Sequence, residues 1–239
     1  MIPVYYDFHI HTALSPCAND DMTPNDIVGM ALLNGLDMIA ITDHNTFANV
    51  ESVIKAASDH DLIVIPGMEV STAEEAHVLC LFENLDIALG FEADLMTHYS
   101  TWSNRASIFG NQLLLDENDN VTGQMDRMLL APTSLSFDDL YLLAEKHGGA
   151  FVPAHVDRDS FSVISNLGFL PPHLKINTVE VTQKGIWDDF IERNSDKFPN
   201  NDPKVICSSD SHQLWTLHEK THFLPLPERS GKAAIEFLR

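Results

Sequence analysis

Met38-Ile39-Ala40-Ile41 runs straight into Thr42-Asp43-His44, and that junction decides how the rest of the chain is read. Four consecutive apolar residues without alternation are the pattern of a strand buried on both faces, as in parallel sheets covered by helices. Side chains able to ligate or move protons follow at once, where such a strand leaves its sheet. The upstream flank is helical, with Thr23 as N-cap, Pro24 at the first helical position and Asp26 in the first turn. Ile27, Met30, Ala31 and Asn34 fall on one face of that helix, and Gly35 ends it. Downstream, Phe47 to His60 reads as a second helix and Leu62-Ile63-Val64-Ile65-Pro66 as the next strand.

The alternation repeats outward. Val4 to Phe8, Val78 to Phe82, Ala150 to Val152, Thr178 to Val181 and Val205 to Cys207 are further strand candidates, and Phe137 to Lys146 is a helix closed by Gly148-Gly149. From Glu83 to Ser136 the rhythm loosens. Ile87 to Arg105 reads as helix there, and Asn111 to Arg127 as a hairpin around Asp116-Glu117-Asn118-Asp119-Asn120. No repeat or low-complexity linker divides the chain, so residues 1–239 read as one domain, with a substrate-covering or interface insertion at about 84–136. Strands alternating with helices predict an α/β barrel-like fold with its site at the carboxyl ends of the strands. An open doubly wound sheet fits the same alternation, and periodicity does not separate the two.

Composition narrows the partners. The apolar share is 44% and mean hydropathy is −0.06, an ordinary globular balance. No apolar run approaches the roughly 20 residues that span a bilayer, and the first residues lack the pattern of a signal peptide. Cys17, Cys80 and Cys207 are too few and scattered for a disulfide framework, so a cytoplasmic location is expected. With 14 Lys+Arg against 35 Asp+Glu the net charge is −21. The absence of basic clusters argues against long nucleic acid or an anionic membrane as partner. An anionic substrate must then be attracted locally, which bound metal would do.

Histidine placement carries that idea further. His9 and His11 stand two apart at the end of the first strand, where i and i+2 share a face. Thr42-Asp43-His44, Gly67-Met68-Glu69, His77, Pro153-Ala154-His155 and Ser208-Ser209-Asp210-Ser211-His212 all adjoin other strands. Each alone reads as a capped loop residue or a satisfied histidine. Together they suit Zn, Mn or Fe, and they exceed the four ligands of one tetrahedral zinc.

Asp7-Phe8-His9-Ile10-His11-Thr12, Ile41-Thr42-Asp43-His44-Asn45, Gly67-Met68-Glu69 and Ser209-Asp210-Ser211-His212, in that order, resemble the PHP family, named for polymerase and histidinol phosphatase. The resemblance implies a distorted (β/α)7 barrel, two or three divalent metal ions (Zn, Mn or Fe), and hydrolysis of a phosphate ester by metal-activated water. It implies His9, His11, Glu69 and Asp210 around one metal, His44 and His212 around a second, and His77 and His155 around a third, with Glu69 bridging. Cys17 stands where many family members complete the second metal's shell; it is read as a ligand, against a small structural cysteine, with Asp20 and Asp21 as substitutes. Asp7 and Asp43 either ligate metal or accept the second N–H of a ligating histidine, and Asp43 is also a candidate to take a proton from water. Arg158, three residues after His155, is expected to hold the substrate phosphate, ahead of Arg105, Arg127 and Lys184. His60, His98, His147, His173, His218 and His222 read as surface or loop residues.

The function expected is hydrolysis of a small phosphorylated molecule. An exonuclease acting on short oligonucleotides, a metal-dependent amidohydrolase and a non-catalytic metal-binding module are the alternatives. Glu69 stands against the amidohydrolase, which often bridges its metals with a carboxylated lysine. The motifs name neither the substrate nor the oligomeric state.

Overall fold

A computed structural model of the chain describes residues 1–182, 190–199 and 202–239. The main sheet has six strands in the order β10-β1-β2-β3-β4-β7: β1 (Ile2–Ile10), β2 (Met38–Ile41), β3 (Ile63–Ser71), β4 (His77–Leu81), β7 (Ala150–Pro153) and β10 (Phe223–Leu226). β8 (Thr178–Val181) and β9 (Lys204–Cys207) form a parallel pair, and β5 (Leu113–Leu115) with β6 (Val121–Gln124) a hairpin. The sheet curls so that β9 returns to β1: His11 N–H donates to Ser211 O at 2.9 Å and Ser211 N–H to His9 O at 3.0 Å. Val156 N–H donates to Glu180 O and links the β7 and β8 ends.

The strands are not uniformly parallel. β1, β2 and β3 are parallel, but β3–β4 and β4–β7 are antiparallel. The even alternation of strand and helix expected from the sequence fails here because β3 does not stop at Pro66. It continues to Ser71, with Met68 and Val70 buried in the core, and residues 72–76 are too short a connection for a parallel crossover, which needs a dozen or more residues. Gly67 permits the continuation: a Cβ there would lie 2.7 Å from Thr42 Cγ2 and Leu81 Cδ2.

Two buried layers result. Val4, Tyr6, Phe8, Met38, Ala40, Ile65, Leu79, Leu81 and Val152 fill the inside of the curl, where Ala233, Ala234, Ile235 and Leu238 of the C-terminal helix Gly231–Leu238 also pack. Ile10, Ile39, Ile41, Met68 and Val70 join the outer layer beneath α1 (Pro24–Leu33), α2 (Val50–Ala56), α3 (Leu85–Leu95) and, after the short α4 (Ala106–Phe109), α5 (Phe137–Lys146). The second and third helices are shorter than the sequence suggests. Beyond Leu95 and a single 3-10 turn at Met96–His98, the chain becomes irregular; Ser100 Oγ accepts the Trp102 N–H and competes with the helix. The hairpin is where it was expected. β10 was not anticipated, because Pro225 demotes the run, yet proline suits the edge position it holds. No helix among the described residues is long and apolar enough to cross a membrane.

Candidate metal centre

By strict alternation Ile10 would share the inward face of Val4, Tyr6 and Phe8, and His9 and His11 would point outward. A register shift between Asp7 and Ile10 against β2 reverses this. Ile10 joins the outer layer, while His9 and His11 turn inward and are fully buried. The antiparallel β4 does the same service for His77: as the strand's first residue it faces Ser71, two residues past Glu69, on Glu69's face. β7 then runs back beside β4 and delivers His155 to the same edge.

Glu69 is the hub. Its Oε1 lies 2.9 Å from His77 Nδ1, 3.1 Å from His155 Nε2 and 3.3 Å from His9 Nε2. Its Oε2 lies 3.0 Å from His44 Nδ1 and 3.4 Å from His11 Nε2. Asp210 Oδ1 is 3.2 Å from both His9 Nε2 and His11 Nε2, which are 3.1 Å apart. His212 stacks on His11 with ring centroids 4.4 Å apart. Donor atoms of three overlapping sets, His9/His11/Glu69, His11/His44/His212 and His44/Glu69/His77, lie within 4.8 Å of one another. Spacings near 3.3 Å are the edges of a coordination shell with bonds of about 2.0–2.2 Å. Asn45, His155 and Asp210 hold left-handed backbone, with φ of 52°, 33° and 51°, a cost found where a site over-determines its loops.

Electrostatics agree with a cation at this point. Burial alone would neutralise His9, but Glu180, Asp210 and Glu69 outweigh it and raise its pKa well above the ordinary value. At His11, Asp210 and Glu69 outweigh burial and raise it to about 9. His44 falls well below the usual value through burial, and His212 falls to about 4 for the same reason. Despite burial, His77, His9 and His44 keep Glu69 well below the carboxylate range, and His9 and His11 keep Asp210 low. Ionised carboxylates deep in protein need compensating charge; here protons on imidazoles supply it from the positions that would face a cation. Buried Glu180 Oε1 and His155 Nδ1 have no hydrogen-bond partner. The donor set fits the divalent metals that the resemblance implies.

The residues behind the cluster differ from expectation. Neither Asp7 nor Asp43 takes the second N–H of a ligating histidine directly. His9 Nδ1 lies 2.9 Å from Glu180 Oε2, and the same oxygen accepts the His155 N–H at 3.1 Å. Glu180 was read only as part of a strand; its burial within Thr178-Val179-Glu180-Val181 was the signal. His11 Nδ1 lies 3.0 Å from Ser15 Oγ, which donates to Asp43 Oδ1 at 2.6 Å. Both Asp43 oxygens also accept from Thr12, so Asp43 braces His11 through Ser15 and does not line the cavity. Burial raises its pKa. Asp7 accepts the backbone N–H groups of Ser209 and His218, which ties β1 to the segment carrying Asp210.

A cavity of ≈ 290 Å³ opens above the cluster, lined among others by Cys17, His44, Glu69, His155, Arg158, Asp210 and His212. Cys17 is exposed at this cavity and belongs to none of the convergent donor sets among the described residues. Asp20 is held by Asn111, and neither it nor Asp21 lines the cavity. Arg158 NH1 pairs with Asp210 Oδ2 at the mouth. Arg127 lies over the Tyr99 ring and donates to Asn45 O, a structural brace. Lys184 lies outside the described residues. A second cavity, of ≈ 480 Å³, adjoins the first through Leu130 and Phe161 and is lined by Trp102, Arg105, Phe109 and Met128. Trp102 is 68% exposed and Phe161 50%; Phe161 stacks on His77 at 5.0 Å.

A histidine–carboxylate cluster at one edge of a curled mixed sheet defines a class, and the PHP domain family profile matches residues 7–162. The chain belongs to that family. It is 36% identical over 88 residues to the 5'-3' exoribonuclease Rnm of Salmonella typhimurium, covering 36% of this chain and 29% of that one. The chain thus spans under a third of that relative's length in the match. Endonuclease Q of Pyrococcus furiosus, at 16% identity, superposes with a TM-score of 0.67 over 99% of this chain and 56% of its own. A putative metal-dependent phosphoesterase from Bifidobacterium adolescentis, at 18% identity, does so with 0.54 over 87% of each chain. These two likenesses show the fold.

Proposed function

We propose that the chain hydrolyses a phosphate ester of a small nucleotide-type substrate, a nucleotide or a short oligonucleotide. The observation that carries this reading is the continuity of the Glu69-centred cavity with the aromatic groove of Trp102, Phe109 and Phe161. A phosphate over the metal cluster leaves an attached base beside aromatic faces. Net charge −21 disfavours long strands. The names of the nuclease relatives favour a nucleic-acid fragment over a sugar phosphate.

His9, His11, Glu69 and Asp210 would hold one divalent ion, with His44, His77, His155, His212 and Cys17 available for one or two more. When bound, such ions supply Lewis acidity and a nucleophilic water at neutral pH. The protein's own part is orientation. Glu180 fixes His9 so that Nε2 faces the cluster, and the Asp43–Ser15 pair does the same for His11. Arg158 stands at the mouth, where exchanging one Asp210 oxygen for a phosphate oxygen places its planar fork on the substrate. The exposed indole of Trp102 offers a stacking face, and residues of the 84–136 segment thereby choose the substrate.

Arg158→Ala is expected to raise KM for the phosphoester by about 10- to 100-fold, the worth of hydrogen bonds to a charged group, with metal content unchanged. Unaltered kinetics would remove Arg158 from substrate binding. Trp102→Ala is expected to raise KM for a 5'-phosphorylated dinucleotide by about 5- to 100-fold, the range of one base stack, and to leave p-nitrophenyl phosphate hydrolysis unaffected. Equal losses on both substrates, or none on either, would overturn the nucleotide reading. Turnover of no phosphoester by metal-loaded protein would favour the non-catalytic alternative.

A further inference from the structure

Cys207, His218 and His222 lie on the far side of the Asp210 segment from the Glu69 cluster in sequence terms: one at its start, two at its end. Their donor atoms are all within 4.8 Å of one another. The sequence treats them as unrelated, with Cys207 closing a strand and the histidines in a loop. The fold unites them because β9 ends at Cys207 beside β1, while the return to β10 brings residues 218–222 back to the same strand. Tyr6 marks the meeting point: its hydroxyl accepts the Cys207 N–H at 3.2 Å, and its own N–H donates to His222 O at 3.3 Å. Asp7, the next residue, accepts the His218 N–H at 3.0 Å.

We propose that Cys207, His218 and His222 form a second cation site of zinc type, separate from the Glu69 cluster, that clamps the base of the loop carrying Asp210 and His212. Three features carry it. The donor set, one thiol and two imidazoles, is the soft and borderline combination that selects zinc-like ions over Mg, Ca or Mn. The His218 and His222 rings are 5.1 Å apart and half-buried, with no carboxylate in the triplet to bring a hard-ion preference. His218 Nδ1 is buried and has no hydrogen-bond partner, an arrangement that coordination or a tautomer set by coordination resolves. Cys207 is itself 2% exposed, and its thiol proton now points to Thr182 O at 3.6 Å. Ion binding removes that proton to solvent and leaves thiolate as ligand. Shell edges for such ligands are about 3.3–3.6 Å, and the three donor atoms already lie within 4.8 Å of one another. The fourth position is left to water.

The consequence is positional. Asp210 and His212 approach the Glu69 cluster from a loop whose two ends meet at these three residues, so an ion there holds both ends while the loop's middle serves the hydrolytic site. This reading does not rest on the identity of the substrate.

The test uses the full chain in a Glu69→Gln background, which disables the main cluster. Zinc by elemental analysis after exhaustive dialysis should remain at about one per chain, held by the three protein ligands, and should be lost on adding Cys207→Ser or His222→Gln. Saturating zinc should raise the melting temperature of chelator-stripped Glu69→Gln by roughly 5–10 °C and should not do so in the double variants. Cobalt in place of zinc should give a thiolate-to-cobalt charge-transfer absorption that survives Cys17→Ser and disappears with Cys207→Ser. His222→Gln, at a half-buried position, keeps the test valid if Cys207→Ser does not fold. Zinc retained in full by both double variants, or a cobalt–thiolate band lost with Cys17→Ser instead, overturns the site. Glu69→Gln protein holding no zinc overturns it too, while leaving the main metal centre intact as a reading.

Discussion

Glu69→Gln is expected to lose the metal of the main cluster and to lower turnover by about 1,000-fold or more, since a bound cation contributes several kcal/mol to the transition state. The reason lies in the hub geometry. Both Glu69 oxygens are shared among His9, His11, His44, His77 and His155 at 2.9–3.4 Å. An amide keeps the shape but supplies one weak acceptor and one NH2 group, which points donors at imidazoles or at a cation. The change also withdraws one of the negative charges that raise His9, beside Glu180 and Asp210, and His11, beside Asp210, so the site attracts a positive charge less strongly. Elemental analysis paired with a phosphoester assay checks it. A variant with full metal content and full activity would remove Glu69 from the centre of the site.

Glu180→Gln comes next in expected size, at about 10- to 100-fold in metal affinity or turnover, the usual cost of losing the partner of a ligating histidine. Glu180 has no place in the cavity, yet its one oxygen serves both His9 Nδ1 and the His155 backbone. Glutamine can still accept one of these, so its deficit should be smaller than that of Glu180→Leu, which leaves both donors buried and unmet. A metal titration of the two variants reads this order directly. Equal affinities for wild type and Glu180→Leu would mean that the ring of His9 needs no anchor.

The motif residues were legible because ligation chemistry is written in residue type. His9, His11, His44, Glu69, His77, His155, Asp210 and His212 are drawn to one edge as the strand-end pattern required. Cys17 and Arg158 also line the cavity, while Asp43 proved to stand behind Ser15 because three hydrogen bonds already fill its oxygens. Glu180 escaped notice because a carboxylate inside an apolar strand looks the same whether it faces solvent or a buried imidazole. The aromatic groove escaped because Trp102 and Phe161 sit in irregular segments and Phe109 ends the single-turn α4, with no period to read.

What the sequence determined by itself was the inventory and its order: buried strands, capped helices, and ligating side chains wherever a strand runs out. Those follow from local chemistry, since apolar runs must be buried and imidazole–carboxylate sets must find charge. Only the tertiary structure decided the phase and direction of the strands. The register shift in β1 turned His9 and His11 inward, and the short 72–76 connection reversed β4 so that His77 at a strand's start meets Glu69. Both depend on pairing with a neighbouring strand, an interaction that no single stretch of sequence contains. The meeting of Cys207 with His218 and His222 on Tyr6 has the same origin, because it needs β9 and β10 to flank one strand.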